Sequence, residues 1–393
     1  MGPLRLTHQD EDCLSLNIWT PGPGGPARPV LVWIHGGGFS SGTGGADWYD
    51  GARLAERGDL IVVTINYRLA ALGFAYLDGI APANLGLLDM TAALRWVRDN
   101  IAAFGGDPRQ VTVAGQSGGA LSIVSLLPTG LFHRAILQSG PYALRPLSTE
   151  QADRNTGLLL RELGLDGPPA AARSTLREVG VERLLAAQLT VARTAAAAQR
   201  NPLNVSPPFQ LVADGITVAA DPIGAAGAVA GQTDLLIGWT RDELAAFIGG
   251  DPRFGAITAA EVVEAVRDWY GDTAEERYAA CQAEQPGTTP AETAVALSTD
   301  HMFRRDAVRL AAASPKTRTY QFDWRPQGSP FGACHCLELP FVFGNPDAWQ
   351  TAPMLPNGVT PQTLVDTVQS AWIEFTAGQP TTWPDGLRHL DID

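Results

Sequence analysis

Leu14-Ser15-Leu16-Asn17-Ile18-Trp19 alternates apolar and polar side chains, the period of a strand with one covered face. The run Pro21-Gly22-Pro23-Gly24-Gly25-Pro26 ends it in a turn. Downstream the alternation gives way to nearly continuous apolar runs, Val30-Leu31-Val32-Trp33-Ile34 and Leu60-Ile61-Val62-Val63-Thr64-Ile65, as in strands covered by helices on both faces. Between Asp89 and Phe104 the period lengthens again. Met90, Leu94, Val97, Ile101 and Phe104 recur at spacings of four and three, which predicts one buried face of a helix stopped by Gly105-Gly106-Asp107-Pro108. Val111–Gly115, Ala135–Gln138, Leu235–Gly238 and Thr319–Phe322 read as further strands with helical sequence between them. The alternation predicts an α/β fold with a mostly parallel, doubly wound sheet. From about Pro141 to Gly231 the chain is rich in Ala, Leu, Arg and Glu, broken at Gly167-Pro168-Pro169 and Asn201-Pro202, and reads as a helical insertion (141–231) within one domain spanning 1–393.

Composition narrows the partners. With 45% hydrophobic and only 18% charged residues, a chain of 393 residues has ample material for a packed core and is not a disordered one. Acidic residues outnumber basic ones, 41 against 28, so the net charge of −13 has the wrong sign to grip phosphate backbones or anionic lipid. Neither nucleic acid nor membrane is expected as a partner. Cysteines at 13, 281, 334 and 336 form no disulfide framework and no CxxC pair, so reduced thiols are expected. Met1 to His8 lacks the apolar core of a signal peptide, Leu6 stands where a myristoylation signal needs Ser or Thr, and the apolar stretch Ile223–Ala230 is short, so the expected location is cytoplasmic.

Gly115-Gln116-Ser117-Gly118-Gly119 is a GxSxG motif between a predicted strand and a helix expected to begin at Ala120. Glycines flank the serine because a nucleophile on a tight strand-to-helix turn leaves no room for side chains two residues away. The same five residues could form a glycine-rich turn with an incidental serine. His35-Gly36-Gly37-Gly38-Phe39, directly after the strand at 30–34, matches the loop that supplies backbone N–H donors to an oxyanion. The Lys and Ser/Thr of a phosphate-binding loop are missing. Two motifs in this order point to acyl transfer, which also needs a histidine base and an orienting carboxylate later in the chain. Of six histidines, His8 and His389 lie near the termini, His35 is in the loop and His133 precedes a strand, leaving His301 and His335. His335 follows the last predicted strand, in a loop of Gly, Ser, Pro and Cys. For the acid, Glu243 directly follows the strand at 235–238, with Asp242 as its rival.

Glu11-Asp12-Cys13-Leu14-Ser15-Leu16-Asn17-Ile18 resembles the EDCLxLN signature of the type-B carboxylesterase family of α/β-hydrolases. The blocks Asn66–Leu69 with Gly73-Phe74, Asn84–Asp89, Ala93–Val97, Phe104–Pro108 and Phe132–Ile136 continue the resemblance. It is dense over residues 11–141 and patchy beyond. The resemblance implies Ser117 as nucleophile, Glu243 as acid, His335 as base, and the N–H groups of Gly37, Gly38 and Gly118 as oxyanion donors, with Ser139 as a supporting residue near the triad. It further implies a small-molecule ester as substrate and no metal or organic cofactor.

Relatives carry a substantial segment before the EDC block, whereas ten residues precede Glu11 here, so edge strands and one wall of the substrate gorge are expected to be missing. Cys13, paired with an upstream cysteine in secreted relatives, is expected to be a free, buried thiol. Gly118 stands where relatives usually have Ala. His335 lies between Cys334 and Cys336, where the family usually has Gly after the histidine. That pair reads either as a redox or metal element or as small side chains filling space. Phe39, Trp48 and Tyr49 are candidates for an apolar or aromatic entrance wall, core packing being the other account of each. The expected reaction is ester hydrolysis through an acyl-enzyme. The alternatives are the same triad diverted to cyclisation, acyl transfer or elimination, and a non-catalytic binding or adhesion homologue.

Overall fold

A computed structural model describes residues 9–22, 24–78, 81–165, 174–199, 201, 203, 206–249, 252–379 and 386–391. The expected segments Met1–His8, Pro23, the break Gly167-Pro168-Pro169 and Pro202 lie outside them. Eight strands, β1 (Leu16–Trp19), β2 (Arg28–Ile34), β3 (Ile61–Ile65), β4 (Gly106–Gln116), β5 (Arg134–Gln138), β6 (Asp234–Thr240), β7 (Arg318–Phe322) and β8 (Leu387–Leu390), form one sheet. Its order is β1-β3-β2-β4-β5-β6-β7-β8. Only β1 runs antiparallel to its neighbour, and β2 to β8 are parallel.

Successive side chains of the apolar runs go to opposite faces. Val30, Val32, Ile34, Ile61, Val63, Val113 and Leu137 join one core, while Leu31, Trp33, Val62, Ala114, Ile136 and Leu236 join the other. All thirteen are essentially inaccessible, which is why the alternation seen before Trp19 is absent from β2 and β3. The helices Leu85–Asn100 and Gly118–Leu126 cover the first face through Met90, Leu94, Val97, Leu121 and Val124. On the second face Gln362–Thr376 presses Leu364, Val368, Trp372 and Phe375 against the sheet. Burying each such side chain contributes about 1.5–3 kcal/mol. Between β5 and β6 the chain carries the helices Thr149–Glu162, Val181–Ala198 and Pro222–Val229.

Several strands run one or two residues beyond the expected ends, and four further departures have a physical cause. β1 starts at Leu16, because Leu14 is exposed and unpaired in the ladder. The helix at 85–100 ends in a short 3₁₀ turn, Ile101–Phe104, with Gly105 at φ +87°, and Gly106-Asp107-Pro108 already belong to β4. The helix after Ser117 starts at Gly118, not Ala120. β8 was not anticipated: its four residues Leu387-Arg388-His389-Leu390 bury only Leu390 at the sheet edge and carry no apolar run.

All four cysteines are free thiols, and Cys13 is half-buried, not buried. Trp48 and Tyr49 do not line an entrance. They sit in the second core, where Trp48 stacks on Trp349 at 4.5 Å and Tyr49 lies 5.4 Å from Trp33. Phe39 is likewise fully buried, packed edge-on to Phe74. Among the described residues no helix is long and apolar enough to cross a membrane.

Candidate active site

The site lies at the carboxyl ends of the central strands, where loops leave a doubly wound sheet. β4 ends at Gln116, and Ser117 makes the turn into the next helix with φ +56° and ψ −123°. Such a conformation costs a non-glycine residue about 1–3 kcal/mol and is held by its surroundings. Here Ser117 N–H donates to Gln138 O at 2.9 Å on β5, and Ser117 O accepts from Leu121 N at 3.0 Å. The neighbouring glycines are steric requirements. A Cβ on Gly119 would lie 2.2 Å from Ile34 O, and one on Gly115 would lie 2.9 Å from the backbone of Gly119.

β2 leads into His35–Phe39. Gly37, Gly38 and Phe39 have φ values of +116°, +60° and +62°, which turn the backbone toward the helix after Ser117. The space a Cβ on Gly118 would fill is 3.7 Å from Gly38 N and 3.6 Å from Phe39 N, so these amides and residue 118 border one small volume. His35 braces the loop. Its ring stacks on Tyr67 at 4.4 Å, Nδ1–H donates to Gly36 O at 2.8 Å, and Tyr67 Oη donates to His35 O. Burial lowers the His35 pKa to about 4, so this imidazole stays neutral.

The other half of the site comes from beyond residue 239. Glu243, fully buried three residues after β6, accepts from Thr240 N at 2.8 Å through Oε1 and from His335 Nδ1 at 2.5 Å through Oε2. Its own N–H donates to Thr299 Oγ1. His335, buried in the loop after β7, therefore carries its proton on Nδ1 and presents a lone pair at Nε2. Gln116 Nε2 donates to that lone pair at 3.0 Å. Among the described residues Ser117 Oγ makes no hydrogen bond to His335, although Gln116 is its chain neighbour. Burial opposes protonation of His335, but the adjoining Cys336 sulfur and Glu243 carboxylate outweigh it and raise the pKa above the ordinary imidazole value.

The structure thus brings Glu243 and His335 into contact and sets both beside the Gln116-Ser117 turn. Asp242 turns elsewhere, to the backbone of Ala333. His301 is occupied by Arg305 and stacks on Trp269 at 4.5 Å. Ser139, at the end of β5 with φ +49°, is buried, and among the described residues its Oγ has no hydrogen-bond partner. Cys334 and Cys336 are buried in the second core, and Cys336 holds a left-handed φ of +72°. Sequence reasoning missed the Gln116 contact and two phenyl rings, Phe247 at 5.3 Å and Phe303 at 5.4 Å from the imidazole. Phe247 is half-exposed, so an aromatic does face solvent beside the histidine, but a different one from those expected. Only the position of Gln116 next to the serine could have flagged it.

Beneath the site a second carboxyl is sealed in. Glu338 accepts from Gln138 Nε2 at 3.2 Å, Gln138 accepts from Trp372 Nε1, and Glu338 Oε2 has no partner among the described residues. Burial and the nearby charge of Glu243 raise the Glu338 pKa to about 7.

Residues 2–388 match the model of the carboxylesterase family. The chain is 38% identical to the phenmedipham hydrolase of Pseudarthrobacter oxydans over 97% of its own length and 79% of that protein's. It is 39% identical to the para-nitrobenzyl esterase of Bacillus subtilis, covering 97% and 78%. A solved Geobacillus stearothermophilus carboxylesterase superposes with a TM-score of 0.83 at 33% identity, covering 99% of this chain and 85% of that one. With its parallel sheet, its serine on a strained strand-to-helix turn and a family match running almost end to end, this chain belongs to the carboxylesterase family and is a carboxylic ester hydrolase of α/β-hydrolase fold.

Proposed function

We propose that hydrolysis proceeds through an acyl-enzyme on Ser117, with His335 as general base and acid and Glu243 as its orienting carboxylate. The observation that carries this reading is the buried 2.5 Å hydrogen bond from His335 Nδ1 to Glu243 Oε2, formed next to a serine held at φ +56°. That bond fixes the imidazole tautomer with its lone pair on Nε2. Ser117 Oγ then replaces Gln116 as the donor to Nε2, loses its proton to it and attacks the ester carbonyl. The carbonyl oxygen becomes an anion beside the N–H groups of Gly37, Gly38 and Gly118, whose partial charges need no reorganisation. His335, now charged and stabilised by Glu243, returns the proton to the leaving alcohol, and water repeats the sequence to release the acid. Ser139 supports the floor of the site.

The substrate class is a small ester with an apolar or aromatic part, because the accessible group beside His335 is the half-exposed ring of Phe247. The test is burst kinetics with para-nitrophenyl acetate and butyrate on the wild type, Ser117→Ala and His335→Ala. A burst followed by turnover in the wild type, absent from both variants, is expected. A folded wild type that is never acylated would overturn the reading.

A further inference from the structure

Asp242 lies directly beside Glu243 in sequence yet takes no part in the contact with the imidazole. Its backbone N–H donates to Ala333 O at 2.9 Å, and its Oδ2 accepts from Ala333 N at 2.8 Å. One residue thereby closes both backbone groups of Ala333. The next residue repeats the pattern on the same loop: His335 N–H donates to Glu243 O at 3.2 Å, and the His335 ring meets the Glu243 carboxylate. Residues 242–243 and 333–335 are thus stitched in register by four bonds, one of each pair made by a carboxylate. The approach is close enough that Gly332, at φ +61°, has no room for a side chain, since its Cβ would fall 2.3 Å from Asp242 Oδ2. On the other side Arg241 Nε stands 3.7 Å from Asp242 Oδ1, and Arg241 N–H donates to Phe322 O, tying the turn to the end of β7.

We propose that Asp242 is a positioning residue, whose grip on Ala333 sets the loop height at which the His335 imidazole meets Glu243. The proposal deepens the acyl-enzyme reading and rests on it for the role of His335. An error of about 1 Å in such placement costs about 100-fold in rate. Without the carboxylate, Ala333 N–H is left without its acceptor, and the loop between β7 and His335 keeps only the backbone bond from residue 242 to Ala333 O beside its bonds to Glu243.

The test compares Asp242→Ala and Asp242→Asn in the whole chain. Turnover of para-nitrophenyl acetate is expressed per reactive serine counted by organophosphate titration, beside the low-field proton resonance of the His335–Glu243 hydrogen bond. Asp242→Ala is expected to lower kcat about 10- to 100-fold with KM little changed and to broaden or lose the resonance. Asp242→Asn keeps an oxygen acceptor for Ala333 N–H and is expected to retain both. A merely structural role would lower the melting temperature and the count of reactive serines but leave kcat per serine intact. Wild-type kcat and resonance in Asp242→Ala would overturn the proposal, as would equal losses in both variants, which would make the charge the active feature. Should Asp242→Ala not fold, Gly332→Ala displaces the same carboxylate and is expected to give the same loss; a folded Gly332→Ala with unchanged kcat and resonance overturns it. If the wild type itself does not hydrolyse the ester, the acyl-enzyme reading fails, while the resonance in these variants still reports whether Asp242 holds the loop.

Discussion

Between β2 and the helix after Ser117 the site is made of backbone, whereas beyond β6 it is made of side chains that reach one another from loops about ninety residues apart, Glu243 to His335. In the first half, His35–Phe39 and Gly115–Gly119 each get their shape from glycines without side chains and from a few residues at positive φ, in two loops packed tightly together. In the second half no residue of the pair is conformationally special: Thr240 N and Thr299 Oγ1 fix Glu243, and the bonds Asp242–Ala333 and Glu243–His335 join the two loops. Short-range sterics therefore define one half of the site and long-range hydrogen bonds the other. The first half should fail by collision and the second by loss of a partner.

The largest effect should come from the second half. Glu243→Gln removes the charge that stabilises the imidazolium and disturbs its tautomer, and is expected to lower kcat about 10⁴-fold while the protein stays folded. The sign of its pH effect follows from the environment. Burial lowers the His335 pKa, and the Cys336 sulfur and the Glu243 carboxylate beside it raise it further than burial lowers it. The neutral base is the active form, so activity falls as pH drops through that raised value. Removing the Glu243 charge moves the acid limb of the kcat/KM profile to lower pH, and an unmoved limb would contradict the assignment.

In the first half, Gly119→Ala drives a methyl into Ile34 O at 2.2 Å, so strand β2 or the helix must shift. A loss of about 3 kcal/mol or more in denaturant unfolding is expected, with activity falling alongside. A Gly119→Ala protein of full stability would show the contact to be softer than the comparison requires.

The smallest effect concerns the floor that both halves share. Glu338 has its pKa raised to about 7 by burial and by Glu243, so its neutral form is favoured in the folded state and its contribution to stability is lost as pH rises through about 7. Glu338→Gln removes that titration while keeping an acceptor for Gln138. Its melting temperature should match the wild type near pH 5 and exceed it by a few degrees near pH 8. Equal curves at both pH values would mean that Glu338 is solvated more than its burial implies.

The sequence alone determined the sheet's central strands, because runs such as Val30–Ile34 and Ile61–Ile65 can only be buried on both faces. It also determined the two glycine loops, since their signature is local: the glycine runs mark where side chains must be absent, although the atoms that forbid them, such as Ile34 O against Gly119, lie at the start of the other loop. Choosing His335 and Glu243 over His301 and Asp242 relied on their place after strands and on family resemblance, and no spacing in the chain encodes their contact. Only the tertiary structure decided which carboxylate of the Asp242-Glu243 pair turns to the imidazole and which to the loop backbone. It alone put Gln116 on His335 Nε2, Phe247 and Phe303 against the ring, and Trp48 and Tyr49 in the core, not at an entrance. Strand β8 emerged the same way, since four mostly exposed residues become a strand only when β7 offers an open edge. A glycine marks a steric prohibition at its own position and can be read from the chain, while a hydrogen-bond partner ninety residues away is chosen by the whole packed sheet.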